Sequence, residues 1–130
     1  MGIFVADTHA LVWYLGGSPR LSRPAREVFD SLGNGLNEVV VPAIVIAEMV
    51  MLAERRPGAL DVGEVVARLR LSLGYQLTSL DPRLCLAIRT LTQFSYMHDR
   101  LIVAEAQAIQ ETVITRDELV TASGLVPTVW

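Results

Sequence analysis

The fold of this chain is decided near its start, where residues 3–15 read IFVADTHALVWYL. The run Ile3–Ala6 is apolar throughout, which is typical of a strand in a parallel sheet that is covered on both faces. Asp7 follows directly, and the segment from Thr8 to about Leu15 is predicted to be a helix that ends at Gly16-Gly17. A buried strand that leads through one acidic residue into a helix predicts the first βα unit of an α/β fold.

Short apolar runs and longer helical segments continue to alternate along the chain. The further runs predicted as strands are Glu38–Val41, Gln76–Leu80, Thr112–Thr115 and Val126–Val129. The predicted helices run from Ser22 to Leu32, Ala43 to Arg56, Asp61 to Leu73, Asp81 to about Phe94, His98 to Gln110 and Glu118 to Ser123. Several begin at a Ser or Asp cap and end before Gly or Pro-Gly. This order predicts an α/β fold with a mainly parallel sheet, and a length of 130 residues predicts one domain over residues 1–130.

The charge pattern excludes several classes of enzyme. The chain has eleven Arg and no Lys against six Asp and eight Glu, which gives a net charge of −3 and a pI near 5.3. Without Lys there is no Schiff-base catalysis and no Walker A phosphate loop. An acidic chain is also a poor non-specific binder of nucleic acid, so a role on nucleic acid requires a local arginine patch or metal ions.

The composition predicts a folded protein of a reducing compartment. Apolar residues make up 52% of the chain, which favours a well-filled core over disorder. The single cysteine, Cys85, excludes an intramolecular disulfide and is predicted to be a small core residue. The start of the chain lacks the basic region of a signal peptide, and the longest apolar stretch, Val39–Ala53, is interrupted by Glu48. We therefore expect a cytoplasmic protein with no membrane segment.

Two acidic residues are expected at the carboxyl edge of the predicted sheet. Asp7 directly follows the first strand, and Asp117 comes two residues after Thr112–Thr115. Ligands of such sheets bind outside the carboxyl ends of the strands. The alternative for each residue is that it only caps the helix after it, since Asp is a favoured N-cap residue.

Glu48 lies in an apolar helix, where residues 43–52 read AIVIAEMVML. Its helical neighbours at positions 44, 45, 51 and 52 are all apolar. A buried, unpaired carboxylate is costly, so Glu48 needs a partner, a proton or a metal ion. The alternatives to a functional role are an Arg partner such as Arg55 or a position at the rim of the core.

Asp99 stands at the start of the helix that begins at His98, where an acid suits the helix dipole. The acids singled out by position are Asp7, Glu48, Asp99 and Asp117, and at least two of them are expected to converge at one sheet edge. Oxygen-only clusters suit Mg²⁺ or Mn²⁺, which can activate water and clamp a phosphodiester. A mixed zinc site with His9 and His98 is an alternative, although ordinary polar positions at helix starts explain both histidines.

Four segments of the chain together resemble the PIN-domain family, and in particular VapC-type toxin ribonucleases of toxin–antitoxin pairs. They are Val5-Ala6-Asp7-Thr8-His9-Ala10-Leu11-Val12-Trp13, Ile46-Ala47-Glu48-Met49, His98-Asp99-Arg100-Leu101-Ile102-Val103-Ala104 and Val113-Ile114-Thr115-Arg116-Asp117-Glu118. Each segment carries one acid of the family pattern, and Pro127-Thr128-Val129-Trp130 resembles the usual final strand. One departure is Tyr96, which stands where many relatives carry a second acid three residues before the acid of the third motif.

The resemblance implies a three-layer α/β/α sandwich around a mainly parallel sheet of four or five strands. It implies Mg²⁺- or Mn²⁺-dependent endonucleolytic cleavage of RNA by an activated water. The implied catalytic metal ligands are Asp7, Glu48, Asp99 and Asp117, the last of them directly or through water. Thr115 would orient one such water, and Arg100 and Arg116 would contact phosphate unless they form salt bridges with the acids beside them.

The same resemblance implies an RNA substrate and a small antitoxin whose basic residue reaches the acidic pocket. It also implies a homodimer or a larger hetero-oligomer, which the apolar residues of Trp13-Tyr14-Leu15 and Met49–Leu52 favour independently. The main alternative is a non-catalytic PIN-like module that binds RNA or protein. A response-regulator receiver domain is disfavoured, because it needs a Lys beside its phosphorylated Asp.

Overall fold

The computed structural model describes residues 2–130, which form five strands and seven α-helices. The strands are β1 (Gly2–Ala6), β2 (Asn37–Pro42), β3 (Tyr75–Thr78), β4 (Thr112–Ile114) and β5 (Thr128–Val129). The helices are α1 (Thr8–Leu15), α2 (Arg23–Asp30), α3 (Ala43–Arg55), α4 (Val62–Leu71), α5 (Pro82–Ala87), α6 (Met97–Ile109) and α7 (Glu118–Ser123). Two 3₁₀ turns, Ser31–Asn34 and Ile88–Thr90, follow α2 and α5. The α/β fold predicted from the sequence is confirmed.

All five strands lie parallel in one sheet, in the order β3-β2-β1-β4-β5. The chain proceeds outward from β1 to β3 and then returns to place β4 and β5 on the other side of β1. Since crossover connections are right-handed, this reversal puts the helices of the two halves on opposite faces, as a three-layer α/β/α sandwich requires. The reversal point lies between β1 and β4, and the carboxyl ends of these two strands border the crevice where such sheets bind ligands.

The core is built on strands that are buried on both faces. Four successive residues of β2, from Val39 to Pro42, are buried, as the unbroken apolar run predicts. Val5 of β1 and Val113 of β4 are also enclosed, at 0% and 1% exposure. Complete burial of such a side chain stabilises the fold by about 1.5–3 kcal/mol. These central strands therefore give the site a rigid base.

Capping side chains set the starts of three surface helices where the sequence predicts them. Ser22, Asp61 and Asp81 each accept a hydrogen bond from the backbone N–H three residues later, at 2.9 to 3.3 Å. Each cap satisfies a donor that the first helical turn leaves without a partner. The observed starts of α2, α4 and α5 therefore follow from local chemistry.

Helix α5 is shorter than predicted, because it ends at Ala87 rather than near Phe94. Leu91 and Phe94 are almost completely buried, at 3% and 1% exposure, whereas α5 itself buries none of its residues. Turns closed by backbone bonds from Leu91 to Ile88 and from Phe94 to Leu91 bring these two side chains inward. Burial of the Leu91 and Phe94 side chains stabilises the fold by more than two further turns of exposed helix would.

Cys85 lies on α5 and is exposed, so its prediction as a core residue is wrong. The apolar run around it lies on a helix that stays at the surface.

Strand β3 ends before the predicted limit, and Leu80 beyond it is 42% exposed. Strand β5 begins after Pro127, whose nitrogen cannot donate to a sheet. No helix among residues 2–130 is long and apolar enough to cross a membrane.

Gly74 leads into β3 and provides a sharp test of the packing there. Its φ is +89°, and an added Cβ would lie 2.9 Å from Leu32 Cβ and 3.3 Å from Asn37 O. Gly74→Ala combines a left-handed backbone with overpacking, so we expect a loss of about 2–4 kcal/mol in the free energy of unfolding. Gly124→Ala is the control, since its φ is +67° but no atom lies within 4 Å of an added Cβ. We expect it to cost about 1–2 kcal/mol in urea denaturation. Equal losses in the two variants would contradict the tight packing inferred at Gly74.

Candidate active site

Asp7 and Asp117 both lie at the carboxyl edge of the sheet, as predicted, and the strand order places them at its reversal point. Asp7 follows β1, and its N–H donates to Ile114 O of β4 at 3.1 Å. Its Oδ1 accepts from the N–H of Ala10 at 2.8 Å, and Asp117 Oδ1 accepts from that of Val120 at 2.9 Å. Each acid thus caps the helix after it and also lines a cleft at the sheet edge. The two interpretations of Asp7 and Asp117, as helix caps and as residues of the cleft, are therefore both correct.

Thr115 links these two acids. Its side chain is only 2% exposed, and its hydroxyl accepts from Asp117 N–H at 3.0 Å. The same side chain lies near the Asp7 carboxylate, where it opposes the rise that burial causes in the pKa of that group. Thr115 therefore fixes the relative position of the acids that follow β1 and β4.

Glu48 reaches the cleft from α3 and has two partners. Thr8 donates its hydroxyl hydrogen to Glu48 Oε1 at 2.5 Å, and His98 Nδ1 lies 3.3 Å from Glu48 Oε2. The Glu48 side chain is 21% exposed, so it lies at the cleft rim and not in the deep core. Within the part of the chain that the structure describes, no salt bridge joins Glu48 to Arg55.

Asp99 and Glu48 are bridged by one imidazole. His98 Nε2 lies 3.4 Å from Asp99 Oδ1, while Nδ1 of the same ring faces Glu48. The sequence explained His98 as an ordinary residue at a helix start. Its bridging position depends on how α3 and α6 pack, which local sequence does not show.

The acids are close enough to affect one another electrostatically. Burial raises the pKa of Asp7, and the nearby Asp99 raises it further, against the opposing effects of Thr115, the Ala10 N–H and His9. Burial also raises the pKa of Asp99, to which Asp117 and Glu48 contribute, while His98 and His9 lower it. The cleft has a volume of about 480 Å³ and includes all four acids. It therefore concentrates negative charge in a partly desolvated space.

Arg100 and Arg116, the two arginines singled out from the sequence, lie in different surroundings. Arg100 Nε donates to Phe94 O at 2.7 Å and holds the segment before α6, so it pairs with no acid of the cleft. Arg116 lines the cleft, with its guanidinium 5.6 Å from the centre of the Trp13 ring. Arg20 lies 5.9 Å from the same ring and also lines the cleft. Arg20 was not predicted as a cleft residue, because it lies in the loop between α1 and α2, where local sequence does not indicate which way a side chain points.

The donor set is of the kind that a divalent cation requires. Carboxylate oxygens dominate it, and their mutual repulsion is what a bound cation would relieve. Across residues 2–130, however, no group of three or more His, Cys, Asp or Glu side chains is arranged as a formed metal site. His98 stands between Glu48 and Asp99, where it contacts one oxygen of each carboxylate. The residues fit Mg²⁺ or Mn²⁺ in type and charge.

A family comparison matches residues 4–121 to the PIN domain. The fold resembles the VapBC2 complex of Rickettsia felis bound to a promoter DNA fragment, at 14% identity over 98% of both chains with a TM-score of 0.74. It also resembles VapC20 of Mycobacterium tuberculosis, a sarcin–ricin loop cleaving toxin, at 23% identity over 95% of this chain and 96% of that one, with a TM-score of 0.69. A toxin–antitoxin complex from Klebsiella pneumoniae matches at 17% identity over 100% and 97% of the chains, with a TM-score of 0.67. A comparison with curated proteins found no match.

Asp7→Asn tests the electrostatic cost of the cluster. Because the pKa of Asp7 is raised above 3.8, its charge destabilises the folded state at neutral pH, and this penalty disappears as the pH falls below that value. Asn can still accept the Ala10 N–H bond, so we expect Asp7→Asn to melt roughly a few degrees above wild type at pH 7 in EDTA. The difference should vanish near pH 3.

Asp7→Ala is the matched control, since it removes both the charge and the cap. It should be about 1 kcal/mol less stable than Asp7→Asn in thermal unfolding. If Asp7→Asn melts below wild type at pH 7 in EDTA, the Asp7 charge stabilises the apo fold and the electrostatic account fails.

Proposed function

The chain belongs to the PIN-domain family, and we propose that it is a metal-dependent endoribonuclease acting as the toxin of a toxin–antitoxin pair. The observation that supports this most strongly is the gathering of Asp7, Glu48, Asp99 and Asp117 around one cleft at the reversal point of the sheet. These acids come from four separate segments of the chain. Helix capping explains Asp7 and Asp117, but it gives no reason for Glu48 and Asp99 to meet them.

We assign the binding of Mg²⁺ or Mn²⁺ to these carboxylates. When bound, such an ion activates water and neutralises charge on a phosphodiester. Asp7 and Asp117 are held in place by their helix caps and by Thr115, so their oxygens are preorganised. Asp117 binds the ion directly or through water. Because Thr115 is buried, accepts from the Asp117 N–H and lies near the Asp7 carboxylate, we assign it a positioning role in addition to any contact with water.

Arg20 and Arg116 provide the cationic side of the cleft. Both are exposed, and both lie against Trp13 at its rim. Arginine pairs well with phosphate, and this local pair offsets the net charge of −3 that opposes RNA binding. Arg100 is committed to Phe94 O, so we withdraw it from the phosphate contacts.

An antitoxin is the expected protein partner, because structural neighbours of this chain are toxin–antitoxin complexes. A groove of about 1030 Å³ lies between helices of the first half of the chain. Its lining includes Leu60 and Leu69 with Arg55 and Arg68, and it continues to His9 beside the acid cleft. A basic residue of a partner at the His9 end of this groove would lie beside the acid cleft, where attraction survives screening by salt.

We also propose self-association in a homodimer or a larger hetero-oligomer. Fewer exposed apolar residues are available for such an interface than the sequence predicted. Met49 is fully buried in the core, so it leaves the set of residues available for an interface. Leu15, Val50 and Met51 stay exposed, at 40%, 42% and 54%. We further propose that the chain acts as one domain in the cytoplasm, where RNA and a partner antitoxin would meet it.

The second candidate function is a non-catalytic PIN-like module that binds RNA or protein. The bridge that His98 makes between Glu48 and Asp99 favours it, because the acids are then satisfied without a metal ion. Activity of purified protein decides between the two candidates.

Asp99→Asn should reduce cleavage of RNA at least about a hundredfold in the presence of Mn²⁺, since it removes a charge at the centre of the cluster. Addition of EDTA to wild type should abolish cleavage, and excess Mn²⁺ should restore it. The measurement is the rate of endonucleolytic product formation from total RNA and from defined single-stranded RNAs.

Asp81→Asn is the matched control for this experiment. Asp81 caps α5 through the N–H of Leu84, as Asp7 caps α1, but it lies outside the cleft. We expect its activity to match wild type. Cleavage that persists in EDTA, or that survives Asp99→Asn, would remove the metal-dependent nuclease proposal, while RNA binding without cleavage would favour the second candidate.

A further inference from the structure

Tyr96 exposes a large aromatic ring without a local structural reason. Its residue is 65% exposed, whereas the other aromatic residues among residues 2–130 are half-buried or buried. Tyr96 occupies the N-cap position of α6, where Ser, Thr, Asp or Asn would supply a capping oxygen. It makes no side-chain cap bond there. The ring therefore serves neither the core nor the helix start.

The Tyr96 ring is nevertheless held in one place. It stacks on the His98 imidazole, with ring centres 5.4 Å apart and planes inclined by 19°. That imidazole is in turn fixed between Glu48 and Asp99. A side chain that is already oriented loses little entropy when a ligand binds to it.

Tyr96 lies at the rim of the acid cleft, together with the arginine pair and Trp13. Tyr96, Arg20 and Arg116 all line this cleft. The cleft therefore presents carboxylates for a metal ion, guanidinium groups for phosphate, and one exposed ring that can receive a planar group. Aromatic side chains next to cationic ones are how proteins bind single-stranded nucleic acid, through base stacking and backbone attraction.

We propose that Tyr96 is a stacking platform for an unpaired nucleobase next to the scissile phosphate. This inference rests on the proposed function and adds to it a residue that positions the substrate. A base-paired nucleotide stays stacked within its duplex and cannot lie on the Tyr96 ring without being unpaired. Tyr96 is therefore a specificity-determining residue and takes no part in the chemical step.

A protein partner is the competing occupant of this surface. Met97, the next residue, is 62% exposed and would extend an apolar contact. Met97 does not line the cleft, however, while Tyr96 stacks on a residue that contacts two of its acids. The orientation of the ring at the cleft favours RNA.

The test measures binding of a fluorescein-labelled, mixed-sequence 12-nucleotide RNA, single-stranded or annealed to its complement. All variants are made in the Asp7→Asn background with Mn²⁺, so that cleavage does not interfere; the ion pairs of His98 and its stacking with Tyr96 do not involve Asp7. Tyr96→Ala should weaken single-strand binding about tenfold, within the range of base–aromatic stacking, while Tyr96→Phe stays within about twofold. Duplex binding should be weak and unchanged by either substitution.

Met97→Ala is the matched control, because it removes an equally exposed apolar side chain outside the cleft. In the wild-type background, Tyr96→Ala should raise KM for single-stranded RNA about tenfold and leave kcat within about threefold. Walking an abasic nucleotide along the RNA should identify one position that gives the same loss as Tyr96→Ala, with no further loss when the two are combined.

The outcomes separate this inference from the proposed function. Cleavage by wild type with unchanged binding and KM in Tyr96→Ala would overturn the stacking platform and leave the nuclease proposal intact. Tyr96-dependent binding without any cleavage would keep the platform and overturn the nuclease proposal. Equal losses of RNA affinity in Tyr96→Ala and Met97→Ala would show that the Tyr96 ring has no specific role and would overturn the inference. A change in the sedimentation of Tyr96→Ala without a change in RNA binding would assign the surface to a protein contact and would also overturn it.

Discussion

The crowding of four carboxylates around one partly desolvated cleft, at the reversal point of the sheet, is the constraint on which this site depends. Pairing of Ala6 with Ile114 aligns β1 and β4, so the acids that follow these strands must come together. Packing of α3 and α6 then adds Glu48 and Asp99 to the same cleft. Burial raises the pKa values of Asp7 and Asp99, and the neighbouring carboxylates raise them further, so the strands and helices hold these groups together against an electrostatic cost.

Several contacts reduce this cost in the absence of a cation. The helix caps at Asp7 and Asp117 place two carboxylates at the positive ends of short helices, and the buried Thr115 hydroxyl holds the backbone of Asp117. The Thr8 hydroxyl and the His98 imidazole likewise reduce the cost of holding the Glu48 carboxylate in the cleft. A divalent ion would replace the weaker of these contacts with direct charge neutralisation. The central sheet thus holds together an acid cluster whose electrostatic cost is only partly offset, as the proposed metal site would require.

Much of the fold, and the positions of two candidate site residues, followed from the sequence, because the signals were local. Unbroken apolar runs such as Val39–Val41 predict strands buried on both faces, and the caps at Ser22 and Asp81 predict helix starts. Asp7 and Asp117 were located by their position after strands. The rest depended on tertiary packing: which way Arg20 and Arg100 point, the bridge through His98, and the exposure of Cys85. Glu105, which the sequence left without a role, is only 8% exposed and accepts a bond from the Thr78 hydroxyl at 2.6 Å, a pairing between α6 and β3 that no local pattern predicts.

The most direct test of this account is the change in melting temperature that Mn²⁺ causes in the metal-free protein. If the four carboxylates form one cation site, a hundredfold excess of Mn²⁺ over its Kd should stabilise wild type by about 2.7 kcal/mol. The same concentration should stabilise Asp99→Asn much less, while Asp81→Asn, whose acid lies outside the cleft, should respond like wild type. A shift of equal size in wild type and Asp99→Asn, or no shift in wild type, would contradict the claim that these acids converge to hold a metal ion.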